Sequence, residues 1–408
     1  MSEWREVRFN DVIDLNPRVK LEKGIDYPFI GIADINEGNF YVEEGQQIKF
    51  TGQSGSKFHS GDTLFSRITP CLENRKIAQS VLKSKDKGFG STELLVFRAK
   101  KGKTDPNFVN YLAQTDIIVL PAINSMSGAS GRQRADSNYI KKLKINIPNL
   151  STQKKIVSVL SAYDKLIENN KRRIEILEKV AEEIYKEWFV RMRFPGYENA
   201  KFDRGIPEGW KVSKLGSLVN ISSSKRVYSS DYVETGIPFY RSKEVIQLSN
   251  GEIISDMLYI SNEKYREFKE KFGVPQKNDI LLTSVGTIGV PMLVRNNNPF
   301  YFKDGNLTWI QSRSNASLAN YLYYWIKSGV GQQQILASTI GTSQSALTIE
   351  NLKRVKVIIP DDTVLSMLNN LFSDIIENIS NLTTQSQNLI RQRDLLLPKL
   401  MNGTIKVK

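Results

Sequence analysis

The sequence predicts an α+β protein: two similar mixed α/β domains separated by an antiparallel coiled coil of two long helices, related by a pseudo-two-fold axis. Three observations predict it. The chain repeats itself in order, each copy contains short β-rich runs, and after Pro148 and Pro360 the apolar period changes from two to three and four. The implied segments are a domain over 1–150, a long helix over 151–194, a second domain over 195–362, and a second long helix with a C-terminal tail over 363–408.

The repeat pairs "SEWREVRFNDVIDLN" with "EGWKVSKLGSLVNIS", "DYPFIGIADI" with "GIPFYRSKEV" and "GDTLFSRI" with "NDILLTSV". It continues through "NYLAQTDI" with "NYLYYWIK" and "IKKLKINIP" with "LKRVKVIIP", at offsets that stay between 206 and 217. A conserved order with a drifting offset is what two copies of one unit with divergent loops produce. Within each copy, runs bounded by Gly, Asn, Asp and Ser read as strands: "TLFSRI", "ELLVFRA" and "KINIP", then "DILLTSV", "LTWIQS" and "VKVIIP". A helical segment precedes the last strand, "PNFVNYLAQTDIIVL" in one copy and "SLANYLYYWIKS" in the other.

The long helices carry heptads. In the first, Leu160, Ile167, Ile174, Ala181 and Trp188 take position a, and Ile156, Tyr163, Asn170, Leu177 and Ile184 take d. In the second, a holds Phe372, Ile379, Ser386, Arg393 and Leu400, and d holds Leu368, Ile375, Leu382, Leu389 and Leu396. About 40 residues at 1.5 Å each make a rod of roughly 60 Å, longer than a 150-residue unit needs, so the helices are expected to pair with each other. A parallel, in-frame pairing would set Asn170 against Leu382 and Arg393 against Ala181, burying polar groups on hydrocarbon. An antiparallel pairing instead sets Asn170 against Ser386, Tyr163 against Arg393, Ile174 against Leu382 and Trp188 against Leu368. These polar residues then define the register. The second domain joins the end of one helix to the start of the other, which suits the antiparallel choice. The expected shape is a dumb-bell.

Composition narrows the class. With 408 residues the chain can hold two domains, each with its own core, and its formal charge of +14 favours a polyanionic partner, nucleic acid before an anionic membrane surface. No window approaches the roughly 18 apolar residues of a membrane span, and the start lacks a signal-peptide core, which points to the cytoplasm and no membrane partner. A single cysteine, Cys71, excludes an internal disulfide framework and a cysteine-rich metal site; it reads as a packed thiol. A single histidine, His59, makes a triad or multi-histidine metal centre hard to build and reads as a loop residue. No "GxxxxGK[ST]" occurs, and "GQSGSK" has the wrong spacing for a phosphate loop.

An adenine-specific methyltransferase would need an intact glycine loop and an Asn-Pro-Pro-aromatic motif. "FIGIAD" has Ala33 at the closing glycine, "NNPF" lacks a second proline, and the two strings lie in different halves. A nuclease would need clustered carboxylates followed by a lysine. Asp361 and Asp362 have none at suitable spacing and read as helix N-caps, as do Ser151 and Thr152 for the first helix. The chain is therefore expected to be non-catalytic, with no cofactor or metal of its own. An RNA reader would display recurrent stacking aromatics, and none stand out. A non-specific nucleic-acid-binding coiled-coil adaptor is the remaining alternative.

Two similar basic domains suit duplex DNA. Loops that mix Arg, Lys, Asn, Gln and Ser can pair with base edges and hold phosphates. In the first copy these are Lys57, Arg67, Arg75, Lys76, Arg132, Gln133 and Arg134; in the second, Lys225, Arg226, Arg241, Lys243, Ser284, Thr287, Ser343 and Gln344. The richest cluster is "SGRQRADSN", a glycine-bounded loop with two arginines and an amide.

The chain resembles the specificity subunits of type I restriction-modification systems. The likeness covers essentially the whole chain and rests on "IPEGWKVSKLGSL", "IKKLKINIP", "LKRVKVIIP", "LSAYDKLIENN" and "RQRDLLLPKLMNG" in that order. One departure is the polar middle of the second helix, "SNLTTQSQN". The resemblance implies two target-recognition domains that read a split double-stranded DNA sequence. It also implies two modification (methyltransferase) subunits and restriction (motor/nuclease) subunits as partners, which would carry S-adenosylmethionine, ATP and Mg.

Overall fold

The computed structural model describes residues 4–129, 131–250, 254, 257–312, 315–341 and 345–407. The chain divides into two compact units, Met1–Glu168 with Asn388–Lys408, and Asn169–Gln387. These cuts differ from the four segments read from the sequence. Each unit takes in part of both long helices, because those helices bury apolar side chains in the unit's own core as well as along their seam.

In the first unit, Trp4–Arg8 pairs antiparallel with Lys144–Pro148. A five-stranded sheet runs in the order Ile13–Leu15, Leu94–Ala99, Thr63–Ser66, Ile77–Val81 and Tyr41–Glu43. A four-stranded sheet runs Gln47–Lys49, Asp26–Ile30, Lys87–Gly90 and Ser56–His59. The strands Thr63–Ser66 and Leu94–Phe97 are buried at every position, so neither alternates: Leu94–Phe97 is wholly apolar, and Thr63–Ser66 has an apolar pair between two buried hydroxyl residues. Helix Pro106–Ala113 covers this sheet, opened by Asp105, whose side chain accepts from Asn107 and Phe108 N, with proline at the first helical position.

The second unit repeats the plan. Lys211–Lys214 pairs antiparallel with Lys356–Ile359, and one sheet runs Asn220–Ser222, Leu307–Gln311, Ile280–Thr283 and Pro291–Leu293. Another runs Tyr232–Val233, Leu258–Ile260, Ile237–Tyr240 and Tyr301–Phe302. Even the rarer parallel pairing recurs, Phe29 with Phe89 in one unit and Phe239 with Tyr301 in the other. Helix Ala316–Lys327 takes the covering role, capped by Asn315.

The long helices are Leu150–Tyr185, which ends in a wider π-type turn over Lys186–Val190, and Asp362–Met401. Asp361 caps the second helix, accepting from Val364 N at 2.9 Å. The first is capped by Asn149, which accepts from Thr152 N at 2.9 Å; Ser151 and Thr152 already lie inside the helix. All the heptad positions are buried or half-buried.

The helices run antiparallel in each unit, and the polar partners are each one residue from the expected ones. In the first unit Arg393 Nη1 donates to Asp164 Oδ1 at 2.8 Å, not to Tyr163, and both side chains are less than a tenth exposed. Tyr111 donates its hydroxyl to the other Asp164 oxygen, and the guanidinium lies 4.2 Å from the Phe40 ring centroid. Burial, reinforced by the Asp164 charge, raises the Tyr111 pKa and keeps that hydroxyl a donor. In the second unit Asn170 donates to Gln385 at 3.0 Å, while Ser386 donates to Leu382 O within its own helix. The physical reason is reach: an acid accepts from a buried guanidinium where a tyrosine cannot take its charge, and a glutamine spans a gap that a serine cannot.

Further along, Glu178 accepts from Arg295 at 2.5 Å and Lys327 at 2.9 Å, and Lys327 also meets Glu182 at 2.6 Å. Burial pushes the Glu178 carboxyl up, but the Arg295 and Lys327 charges overcome it and hold it below the ordinary carboxylate range.

Two stability outcomes follow. Gln385→Ala leaves the buried Asn170 amide unpaired and is expected to cost about 1–3 kcal/mol, whereas Gln385→Ala with Asn170→Leu recovers that loss. Urea unfolding midpoints of the intact chain check this. Glu178→Gln takes the acid from Arg295 and leaves Lys327 to Glu182, both cations being about one-fifth exposed in side chain, and is expected to cost about 1–3 kcal/mol, less than breaking a fully dry pair. A depressed carboxyl contributes stability above its unfolded pKa and loses it as pH falls through the folded one. Thermal unfolding against pH should therefore show a smaller acid loss in Glu178→Gln than in the wild type.

Candidate nucleic-acid interface

The richest basic loop closes on the end of a central strand. Strand Thr63–Ser66 runs on into Arg67, Ile68 and Thr69, and the loop returning before helix Ser137–Lys142 lies beside it. Ala135 N donates to Arg67 O at 2.8 Å and Thr69 N to Gln133 O at 3.0 Å, while Gln133 N donates to Thr69 Oγ1 at 3.1 Å. Ser127 and Arg134 exchange backbone bonds of 3.2 and 2.9 Å, which brings the two sides of this hairpin-like loop together. Gly131 turns its tip at φ 78°, a left-handed conformation that suits glycine.

The same junction exists in the second unit. Leu347 N donates to Ser284 O at 2.9 Å, Ile340 and Ala346 exchange backbone bonds of 2.9 Å each, and Ala346 bridges to Val285. Arg67 N donates to Glu93 O, and Ser284 N to Asn306 O, both at 2.9 Å. One backbone frame thus carries Arg67, Glu93 and Arg134 in the first unit, and Ser284, Asn306 and Ala346 in the second.

The candidate residues divide by what holds them. In the first unit Arg134 is forked onto Glu93 through Nε and Nη2, at 2.7–3.0 Å, and these bonds hold the Glu93 carboxyl below its usual range. Arg67 is half-buried beneath the hairpin and donates to Ala135 O at 3.3 Å. Arg75 is spent on Gln114 O at 2.6 Å and on Asp116, so it braces the fold rather than facing a ligand. Lys76 reaches Ile32 O at 3.3 Å. Arg132 is exposed and makes no side-chain hydrogen bond or ion pair among the described residues; Gln133, half-exposed, is anchored by its backbone alone. Lys57 stands apart from this junction, with Nζ 4.9 Å from the Phe50 centroid, in a recess it shares with Asn16 and Arg18.

In the second unit Ser284 is buried and its hydroxyl lies 2.6 Å from that of Thr308, so it is a core residue rather than a contact. Arg241 is forked onto Glu244, which is fully buried. Burial pushes that carboxyl up, but Arg241 and the backbone N–H groups at the helix start hold it below the ordinary range. Arg241 is therefore a structural cation. Thr287 and Lys243 are exposed. Lys225 is exposed with Nζ 4.8 Å from the Phe272 centroid, and Arg226 pairs with Asp304 at 3.2 Å. Ser343 and Gln344 lie outside the described residues.

Two residues escaped the sequence reading. Arg18, exposed, follows strand Ile13–Leu15 by three positions, as Lys225 follows strand Asn220–Ser222; the repeat carried that signal at an offset of 207. Glu93 is acidic and so drew no attention in a search for cations. Elsewhere, His59 Nδ1 meets Asp86 at 2.7 Å at a strand end, and no group of metal-ligating side chains is found among the described residues. No helix among them is long and apolar enough to cross a membrane.

The chain matches the family described as Type I restriction modification DNA specificity domain over residues 1–179 and again over 207–392. It is 30% identical over 297 residues to the type I restriction enzyme MjaIX specificity subunit of Methanocaldococcus jannaschii, covering 70% of this chain and 66% of that one. A putative type I restriction enzyme specificity subunit of Haemophilus influenzae is 30% identical over 296 residues, covering 68% and 70%. In fold the chain is similar to the type I restriction-modification system S subunit from M. genitalium, with a TM-score of 0.53 at 17% identity over 98% of this chain and 96% of that one. With the doubled match on sequence and the doubled strand plan on structure, this chain belongs to the family of type I restriction-modification DNA specificity domains, and it carries the domain twice.

Proposed function

We propose that this chain is the specificity subunit of a type I restriction-modification complex, reading a bipartite double-stranded DNA target with one half assigned to each unit. The observation that carries this reading is the strand-end junction, one backbone frame built twice and furnished with charged side chains in one unit and small or neutral ones in the other. A backbone frame kept constant while the side chains it carries differ suits two readers of unlike short sequences. The net charge of +14 supplies the sequence-independent attraction to phosphates.

Catalysis is assigned to partners. Two modification subunits would bring S-adenosylmethionine, and restriction subunits would bring ATP and Mg. Family membership supports these partners, and the long helices offer elements on which to assemble them.

Selection from random duplex pools, run on the complex with its methyltransferase partner, should yield two specified blocks around an unspecified spacer. A single block, or no preference, would sink the bipartite reading in favour of a non-specific adaptor. Exchanging residues 1–150 for the matching segment of a relative should change one block and leave the other, as read by the same selection.

A further inference from the structure

The ion pair between Arg134 and Glu93 has an unusual geometry for a surface contact. Glu93 sits at the entry to strand Leu94–Ala99, with its N–H bonded to Ser91 Oγ at 3.2 Å and its carbonyl held by Arg67 N. Arg134 is fixed by backbone bridges to both Ser127 and Ile68. Both residues are thus anchored at the main chain, and the side-chain fork joins two rigid points. The carboxylate takes the Nε and Nη2 edge of the guanidinium at 2.7–3.0 Å. Of the five N–H donors, three remain on the far edge, two on Nη1 and one on Nη2. Arg134 is 45% exposed in side chain and Glu93 21%, so the free edge faces outward while the acid stands behind it.

An exposed ion pair is usually worth little to stability, and here the fold does not need it. The second unit closes the same junction by the same backbone bonds with Ser284, Asn306 and Ala346 in the corresponding places. All three positions change together from charged to neutral. The junction therefore closes without these charges, which leaves the exposed fork free to serve a ligand.

Resting on the DNA-reading assignment above, we propose that Arg134 reads a guanine in the half-target of the first unit, and that Glu93 is its positioning residue. Parallel N–H groups from Nη1 and Nη2 match the O6 and N7 acceptors of guanine in the major groove. Glu93 holds the guanidinium in one plane and removes the rotamer freedom that an unbraced arginine would lose on binding. Arg132, exposed and without such a brace, is left to phosphate.

The test uses the full chain in its complex with the methyltransferase partner. Selection from random duplexes is followed by binding to duplexes substituted one base pair at a time. Arg134→Ala and the charge-conserving Arg134→Lys should each relax guanine preference at one position of one half-target by roughly ten- to a hundredfold. Glu93→Gln should relax the same position several-fold. The Arg134→Ala, Glu93→Gln double variant should be no worse than Arg134→Ala alone, because the acid acts through the arginine. Preference in the other half-target should be unchanged in every variant, which also reports an intact fold. Unaltered guanine preference, a uniform loss across all sequences, or an effect of Glu93→Gln at a different position would each overturn the assignment while leaving the specificity reading standing. A wild-type complex without any preference would overturn both.

Discussion

A long helix that buries a carboxylate must meet a cation where it is buried, and the first long helix does this twice. Asp164 takes Arg393 and Tyr111 in one unit, and Glu178 takes Arg295 and Lys327 in the other. The partners come from different places, the second long helix and the covering helix Pro106–Ala113 in the first case, and the segment after strand Pro291–Leu293 and the covering helix Ala316–Lys327 in the second. Each contact therefore ties the helix to an element distant in sequence. Removing Arg393 would leave the buried Asp164 carboxylate without its cation, so these pairs help specify which face of the helix enters each unit.

Around those anchors the apolar side chains do the bulk of the stabilising. Ile156 and Leu160 join Phe108, Leu397 and Leu400 in one core, while Ala181 and Tyr185 join Trp210, Tyr321, Leu368 and Phe372 in the other. The outer seam positions of both helices thus belong to the unit cores. Asn170 is tolerated in that seam because its amide reaches Gln385 on the exposed flank of the second helix, and a pairing specified by hydrogen bonds resists slipping along an otherwise repetitive stripe.

The duplicated fold separates the task of holding a loop from the task of choosing what it contacts. Backbone hydrogen bonds do the holding at both junctions, so the exposed Arg134 fork is not required to close its loop. Other candidate residues do work inside the fold: Arg75 and Arg241 brace it, and Ser284, although at a junction, is buried against Thr308.

The element plan was legible in residue type alone. Period-two and period-three-to-four apolar patterns placed the strands and long helices, ordered self-similarity announced two copies, and the wish to pair polar seam residues selected the antiparallel arrangement. These signals are local or periodic, and burial writes them into residue type. Only tertiary structure decided the partners. Whether Arg393 meets Tyr163 or Asp164, and Asn170 meets Ser386 or Gln385, depends on side-chain reach and on the rotation of one helix against the other, which a heptad frame leaves free by about one residue. The same holds for the arginines of the recognition loops. A basic residue reads alike in sequence whether it is bound to Asp116, forked onto Glu93 or, like Arg132, exposed with no ion pair among the described residues, because the acid that claims it lies tens of residues away and becomes its neighbour only when the sheet closes.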